Sequence, residues 1–287
     1  VDPRGAGRAA VAQAVEKLPP LPPGRRRALI VLPDALNGNP TEVVRGAQQE
    51  AGAGVGWAGG GAGSNLRSFK TAQFAQGEAY RDRVVVIAFD AQEPIGVGIQ
   101  HGWYPYGPPA QVTKACGTIA IELDYESAFE VYRRTAASRG VELDVPGFAS
   151  FAMTHPLGIP QASGEFVIRD PISVESDGSV RYVAEIPDGS LVRVMEGTRE
   201  DLLDAAAGAA TMAREATPGP LGGAVVFDCV SRYLILGEGV RDELLRFQEA
   251  LGEGVPVVGC LTLGEVGAWR STARTTATSS PRSGSPC

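Results

Sequence analysis

Several features that would assign this 287-residue chain to a class of protein are missing from its sequence. The four cysteines show no C-x-x-C spacing, and they form no metal-like cluster with the two histidines, His101 and His155. We therefore expect no bound metal. Such sparse cysteine use is typical of a reducing compartment, so we expect a cytoplasmic protein.

Long hydrophobic runs are also lacking. No apolar stretch approaches the roughly 18 residues that span a bilayer, and the first residues lack the apolar core of a secretory signal. We expect no membrane partner. The 44% of hydrophobic residues is nevertheless enough to form a buried core, which excludes a chain that is disordered throughout.

Basic residues are in the minority, with 26 Lys and Arg against 33 Asp and Glu, a net charge of −7. Because phosphate binding needs a basic surface, this balance argues against nucleic acid as the main partner. The dense basic run at residues 25–27 more simply belongs to a loop. We expect a small-molecule partner instead.

Predicted helices and buried strands alternate near both ends of the chain. Asn39 followed by Pro40 is typical of a helix start, because Asn caps the first turn and Pro is tolerated there. The N-terminal pattern predicts helices over residues 6–17 and 40–51, and strands over 27–32 and 55–58. The C-terminal pattern predicts strands over residues 223–230 and 255–263 with a helix over 239–251 between them.

The middle of the chain is rich in short β-like runs separated by turn residues, which predicts an antiparallel meander. The Asp-Gly pairs at 177–178 and 188–189 indicate hairpin turns. Helices are predicted over residues 127–138 and 198–215. The predicted strands cover residues 71–74, 84–90, 94–100, 110–114, 165–169, 172–175, 180–186 and 190–195.

The order strand, helix, strand, glycine turn therefore occurs twice, which indicates an internal duplication. The predicted fold class is α/β, with two internally duplicated lobes of mixed β-sheet and helices packed on them. Residues 270–287 contain little that could anchor a core, so they are predicted to be a disordered tail.

Motifs along nearly the whole chain resemble those of the FIST family, a sensory module with N- and C-terminal halves. The motifs are GGGAGSNLRSFKTAQF at residues 59–74, IGVGIQHGW at 95–103, HPLGIP at 155–160, VIRDPISV at 167–174, FDCVSR at 227–232 and GCLTLGEVG at 259–267. The resemblance implies an N-terminal lobe over residues 1–126 and a C-terminal lobe over 127–269.

What the resemblance implies is a ligand-sensing domain that works with a signalling partner protein, here acting in trans. Proposed ligands of the family are small molecules such as amino acids, and some relatives are haem-binding nitric oxide sensors. We accordingly expect a binding protein and no enzyme. No cofactor is expected, with haem as an alternative ligand for His101 or His155.

The candidate ligand site lies at the two glycine turns. The backbone amides of Gly60 and Gly61 would approach a ligand carboxylate, unless the loop is a plain tight turn. Arg232 would pair with a carboxylate, unless it forms a structural salt bridge. The remaining candidates are Arg67 in the glycine-loop motif, Trp103, Cys229, Thr262, Gly264 and Glu265.

Three hypotheses follow from these residues. The favoured one is a sensor for an amino acid or small carboxylate, held by backbone amides with Arg232 and Glu265. The second is a haem-binding gas sensor. The third is a hydrolase or transferase that uses Cys229 with His155, although a small buried thiol is the simpler interpretation of Cys229.

Overall fold

The structure is a computed structural model that describes residues 2–52, 54–64 and 70–267. It divides into two compact units, one formed by Val1–Trp103 with Gly197–Ala268 and the other containing Tyr104–Glu196. Helices and mixed β-sheets make up both the N- and C-terminal parts of the chain, which confirms the predicted α/β class. The predicted tail at 270–287 lies outside the described residues.

The helices are α1 (Pro3–Glu16), α2 (Pro40–Ala51), α3 (Ala128–Ala137), α4 (Val145–Ala152), α5 (Arg199–Glu215), α6 (Val230–Leu236) and α7 (Val240–Leu251). The strands are β1 (Arg26–Pro33), β2 (Gly56–Gly60), β3 (Gln73–Ala75), β4 (Glu78–Tyr80), β5 (Val84–Ala91), β6 (Tyr104–Pro105), β7 (Ala110–Cys116), β8 (Ile119–Leu123), β9 (Glu126–Ser127), β10 (Leu157–Pro160), β11 (Phe166–Arg169), β12 (Pro171–Val174), β13 (Val180–Tyr182), β14 (Leu191–Glu196), β15 (Ala224–Cys229), β16 (Val257–Thr262) and β17 (Glu265–Gly267).

Local capping explains where the predicted helices begin. The Asn39 side chain accepts a hydrogen bond from the Glu42 amide at 3.2 Å, with Pro40 in the first turn of α2. Thr198 and Asp201 form a capping box at the start of α5. Both helix starts agree with the sequence prediction.

In the first unit, the described residues form a sheet with strand order β17-β2-β1-β5. β1 and β2 are parallel, while β5 and β17 add antiparallel strands at the two edges. The prediction of β5 as part of a meander was wrong. Every second residue of β5, at Val84, Val86 and Ala88, is apolar and packs with Leu29 and Val31 of β1 into one core.

Helices α1 and α2 cover that core and cross at two glycines. A Cβ atom on Gly7 would lie 2.9 Å from the Ala47 backbone nitrogen, and one on Gly46 would lie 3.1 Å from the Arg4 Cα. Only glycine lets the two helix backbones approach so closely. The crossing buries Val11 of α1 against the sheet.

A second parallel pair, β15 and β16, lies in the same unit and packs on α5 and α7. Ala206 and Ala210 of α5 are buried with Phe247 and Leu251 of α7. Strand pairs β1–β2 and β15–β16 are thus both parallel, with helices between their strands in the chain. Their origin by duplication stays a prediction.

The other unit contains a mostly antiparallel sheet with α3 and α4. In its described residues the strand order is β11-β10-β14-β7-β8-β13-β12, with β6 on β14 and β9 on β8. Tyr132, Phe148 and Tyr182 are among the largest fully buried side chains of its core. Helix α4, with Asp144 as its N-cap, was not predicted from the sequence.

Two predictions for the middle of the chain were wrong. Residues 94–100 form no strand, because Gly96 and Gly98 lie directly against the backbone of α5 near Ala213. The turn at Asp188-Gly189 joins no hairpin, since β13 pairs with β8 and β12 while β14 pairs with β7 and β10. The hairpin predicted at Asp177-Gly178 is confirmed by the pairing of β12 with β13.

Candidate functional site

The candidate site lies at the carboxyl ends of the parallel strands in the first unit. β1 ends at Pro33 and β2 ends at Gly60, while β15 ends at Cys229 and β16 at Thr262. In open α/β sheets, ligands bind outside the carboxyl ends of the strands. These four strand ends therefore mark the edge where a small ligand is expected.

The glycine turns that follow β2 and β16 meet at this edge. The Gly61 amide donates to the Gly264 carbonyl at 2.9 Å, and the Leu263 amide donates to the Gly61 carbonyl at 2.9 Å. Beyond the turn, Glu265 of β17 lies opposite Gly60 of β2. The structure thus brings together five of the residues that the sequence singled out, Gly60, Gly61, Thr262, Gly264 and Glu265.

The glycines at the junction are required by close packing of the chain itself. A Cβ atom on Gly60 would lie 2.6 Å from the Thr262 Cβ, and one on Gly61 would lie 2.6 Å from the Ala35 Cβ. The amides of Gly61 and Ala62 already donate to the Gly264 and Pro33 carbonyls. The turn therefore matches the tight-turn alternative, and a ligand contact by these amides stays a prediction.

Thr262 and Glu265 form a short polar chain beside the junction. Thr262 is buried, and its hydroxyl donates to Glu265 Oε1 at 2.8 Å while lying 3.2 Å from the Asp228 carbonyl oxygen. Gly264 has φ of +79°, so glycine is favoured at this turn. The two polar side chains fix the path from β16 into β17.

Arg232 on α6 is held by groups of the protein itself. Its Nε donates to Glu243 Oε1 at 2.8 Å and lies 3.2 Å from Asp228 Oδ1. Its other two nitrogens donate to the carbonyls of Leu202 and His101, at 2.6 and 3.1 Å. The structural salt bridge, which the sequence left as the alternative, is therefore present, and pairing of Arg232 with a ligand carboxylate has no support in this arrangement.

Of three further predicted site residues, Trp103 and Cys229 are buried, with Cys229 opposite Thr262 at the end of β15, and one lies outside the description. The Trp103 ring packs on Gly197, where a Cβ atom would lie 2.7 Å from the ring, so Trp103 is a buried packing residue. Cys229 is buried with its sulfur 2.9 Å from Ser231 Oγ. Arg67 lies outside the described residues.

A buried carboxylate at the end of β1, Asp34, was not among the sequence candidates. Its Oδ1 accepts from the amides of Leu36 and Asn37 at 3.0 and 3.2 Å, and Thr71 donates to its Oδ2. Burial alone would raise the pKa of Asp34, but the hydrogen bonds from Thr71, Asn37 and the Leu36 amide outweigh it and lower the pKa. Asp34 is therefore a charged group at the strand end.

Gln73 on β3 lies next to this carboxylate. Its side chain is buried, with 4% of the residue exposed, and it helps to lower the pKa of Asp34. Neither of its amide atoms has a hydrogen-bond partner of normal geometry among the residues that the structure describes. Buried amides are nearly always bonded, so an amide whose oxygen has no donor in the described part of the chain, and whose nitrogen contacts the Asp34 carboxylate without normal geometry, needs an explanation.

The sequence does contain a signal for Asp34. It follows a buried strand directly, and acidic side chains in that position reach the ligand edge of a parallel sheet. Gln73 has no comparable signal, because its role depends on how the β3–β4 hairpin folds beside β1.

Comparison with protein families matches the chain in two consecutive parts. A model described as the FIST N domain matches residues 1–126, and one described as the FIST C domain matches residues 128–268. The chain belongs to the FIST family. FIST domains are sensory domains that bind small ligands in signalling. No curated protein and no solved structure matches the chain.

The compact units of this FIST protein combine parts of both family domains. Strands β1, β2 and β5 lie in the FIST N match, whereas β15, β16 and β17 lie in the FIST C match. β17 pairs with β2, so residues of both matches form one sheet. The candidate edge is thus built by the FIST N and FIST C parts together.

The haem alternative, which the FIST resemblance suggested, requires a histidine with a ring nitrogen whose lone pair is available to iron. His101 Nδ1 accepts from the Trp103 amide at 2.9 Å, so its Nε2 carries the proton and lacks the lone pair that iron needs. Its pKa is lowered to about 4 by burial, aided by the charge of Arg232. With its proton on Nε2, His101 therefore does not fit as an axial haem ligand.

His155 belongs to the other unit of the FIST chain. Its ring stacks on Phe151 at 3.8 Å, and its Nδ1 is 2.9 Å from the Phe151 carbonyl oxygen. Donation to that carbonyl leaves a lone pair on Nε2, as a haem ligand requires. Haem binding through His155 stays a prediction that an absorbance spectrum of protein expressed with haem would test.

Cys229 and His155, the pair of the hydrolase hypothesis, belong to different compact units. Each has its own short-range contacts, Cys229 with Ser231 and His155 with Phe151. The residues with described structure include no helix that is both long and apolar enough to cross a membrane.

Proposed function

We propose that this FIST-family chain senses a small amino acid or carboxylate that binds at the carboxyl ends of β1 and β2, beside Asp34 and Gln73. The observation that supports the proposal is the Gln73 side chain, which is buried beside Asp34 and whose amide makes no hydrogen bond of normal geometry among the described residues. A ligand that accepts from its nitrogen and donates to its oxygen would satisfy both atoms.

The charge of the site favours a zwitterion over a simple anion. Asp34 stays ionised because donated hydrogen bonds lower the pKa of its carboxyl. An ammonium group near Asp34 is attracted by that charge, and a carboxylate next to it can accept from the Gln73 amide. A dicarboxylate would place a second negative charge near Asp34, which is unfavourable.

Signalling would follow from the position of the site beside the junction of the two family domains. Ala35 contacts the Gly61 turn, and that turn is bonded to Gly264 in the FIST C part. A ligand that binds one arrangement of this junction better than another shifts the population toward it. We propose that a partner protein reads this change in trans, and that the chain itself catalyses no reaction.

Thermal-shift measurements with a panel of neutral amino acids, simple amines and dicarboxylates test the proposal. An amino acid at about 100 times its Kd should stabilise the protein by about 2.7 kcal/mol. For a chain of this size that stabilisation corresponds to an increase of roughly 4–5 °C in Tm. Gln73→Ala should lose most of it, because the buried amide contact is gone.

The matched control is Gln111→Ala, which makes the same change at an exposed position of β7 in the other unit. It should retain the full ligand-induced shift. Equal shifts in Gln73→Ala and the wild type would remove Gln73 from the site, and no shift with any member of the panel would contradict the ligand class.

A further inference from the structure

A second group of buried charges lies at the end of β15 and does not depend on the ligand site. Asp228, Arg232 and Glu243 come from β15, α6 and α7, and their side chains are 13%, 9% and 0% exposed. Arg232 lies between the two carboxylates and also donates to the Leu202 carbonyl of α5. One guanidinium therefore connects one strand and three helices.

The charges of this cluster do not balance if both acids are ionised. Two carboxylates then carry two negative charges against the single positive charge of Arg232. Glu243 is fully buried, and its Oε2 has no hydrogen-bond partner among the described residues. A buried carboxylate oxygen without a donor is strongly unfavourable, whereas a proton between two neighbouring carboxyls removes the excess charge.

We propose that Asp228, Glu243 and Arg232 form a proton-dependent latch, in which one proton shared by the two carboxyls holds α6 and α7 against α5. Loss of that proton leaves a net negative charge in the core and loosens the helices. The latch would make the stability of the FIST C part of the first unit respond to pH.

The pKa values of Asp228 and of the nearby His101 agree with this proposal. The pKa of Asp228 is raised to about 7, first by burial and then by the charge of Glu243, although Arg232 acts to lower it. His101 contributes no charge near that pH, since its pKa is lowered to about 4. The packed elements carry further titratable or charged groups. These are Arg199, Glu200, Asp201, Asp204, Arg214 and Glu215 on α5, Tyr233 on α6, Arg241, Asp242, Arg246 and Glu249 on α7, Cys229 on β15, Cys260 on β16, and Glu265 on β17, which accepts a hydrogen bond from Thr262.

The direction of the pH effect follows from the raised pKa. The ordinary pKa of an Asp carboxyl is 3.8, so between about pH 4 and pH 7 the folded protein keeps a proton that the unfolded chain has lost. Stability from this proton is fully present below that range. It decreases as the pH rises and is lost above about pH 7.

Urea unfolding between pH 5 and pH 8.5 tests the latch. Titration of the latch should lower the folding equilibrium constant of the wild type by up to about tenfold for each pH unit between pH 5 and pH 7. Asp228→Asn, which imitates the protonated acid, should lack that contribution. The difference between the two proteins cancels the titration of groups that they share, including His155.

The control Asp201→Asn should keep the pH slope of the wild type, because hydrogen bonds from Thr198 lower the pKa of Asp201 and it titrates below the measured range. A wild-type slope in Asp228→Asn would overturn the latch. If that variant does not fold, ¹³C NMR of the wild-type carboxyl groups decides. One Asp or Glu signal titrating near pH 7 supports the proposal, and titration of all of them below about pH 5 contradicts it.

Discussion

Replacing Arg232 with alanine is expected to lower the free energy of unfolding by about 3–5 kcal/mol. The variant leaves Glu243, which is fully buried, without its ion partner, and it removes donors from the carbonyls of Leu202 and His101. An unpaired buried charge is among the most destabilising single changes. Urea unfolding of the wild type and the variant at pH 7 measures the loss.

The same substitution at Arg246 provides the control. Arg246 pairs with Glu200 on the protein surface, where its side chain is 37% exposed, and such pairs contribute about 1 kcal/mol or less. Arg246→Ala should therefore be close to wild type. Equal losses in the two variants would contradict a structural role for Arg232 and return it to the list of ligand-binding candidates.

The second large effect is expected at the junction of the glycine turns. Gly61→Ala should destabilise the protein by about 1–3 kcal/mol, because overpacked sites in a core lose that much. The new methyl would lie 2.6 Å from the Ala35 Cβ and would also press on the Leu263 carbonyl. Relief of that overlap requires the pairing of β2 with β17 to open.

Gly56→Ala is the matched control on the same strand. A Cβ atom at Gly56 meets no atom within 4 Å, so this variant should be as stable as the wild type or up to about 1 kcal/mol more stable. Hydrogen exchange of the Leu263 amide, which donates to the Gly61 carbonyl, reports the junction directly. Unchanged protection of that amide in Gly61→Ala would contradict the described packing.

Elements whose signals are local could be predicted from the sequence. Asn39 and Pro40 mark the start of α2, Thr198 and Asp201 cap α5, and Gly178 turns the hairpin of β12 and β13. Each of these signals acts within a few residues of the chain. Residue propensity and spacing were therefore sufficient to predict where these helices and this hairpin lie.

Elements that depend on distant partners could not be predicted in the same way. Residues 94–100 have the apolar alternation of a strand. Gly96 and Gly98 instead pack directly on the backbone of α5, which is possible because glycine has no side chain. β5 joins β1 because its alternate residues complete the core under α1. In both segments, tertiary packing determines the structure and overrides the preference of the local sequence pattern.

The candidate site was predictable only in part. The glycine turns were expected to come together, and Gly61 is indeed bonded to Gly264. Arg232 looked available for a ligand because Glu243, its internal partner, lies eleven residues further along the chain on another helix. Asp34 had a positional signal at the end of a strand, whereas Gln73 depends entirely on the folded hairpin.

Under the proposed function, a small zwitterion binds between Gln73 and the end of β1. A ¹H–¹⁵N NMR titration of the protein with the amino acid that gives the largest thermal shift locates the binding site. We expect the signal of the Gln73 side-chain amide to shift together with those of the backbone amides of Leu36 and Asn37. Saturable shifts that leave the Gln73 amide unchanged would contradict it.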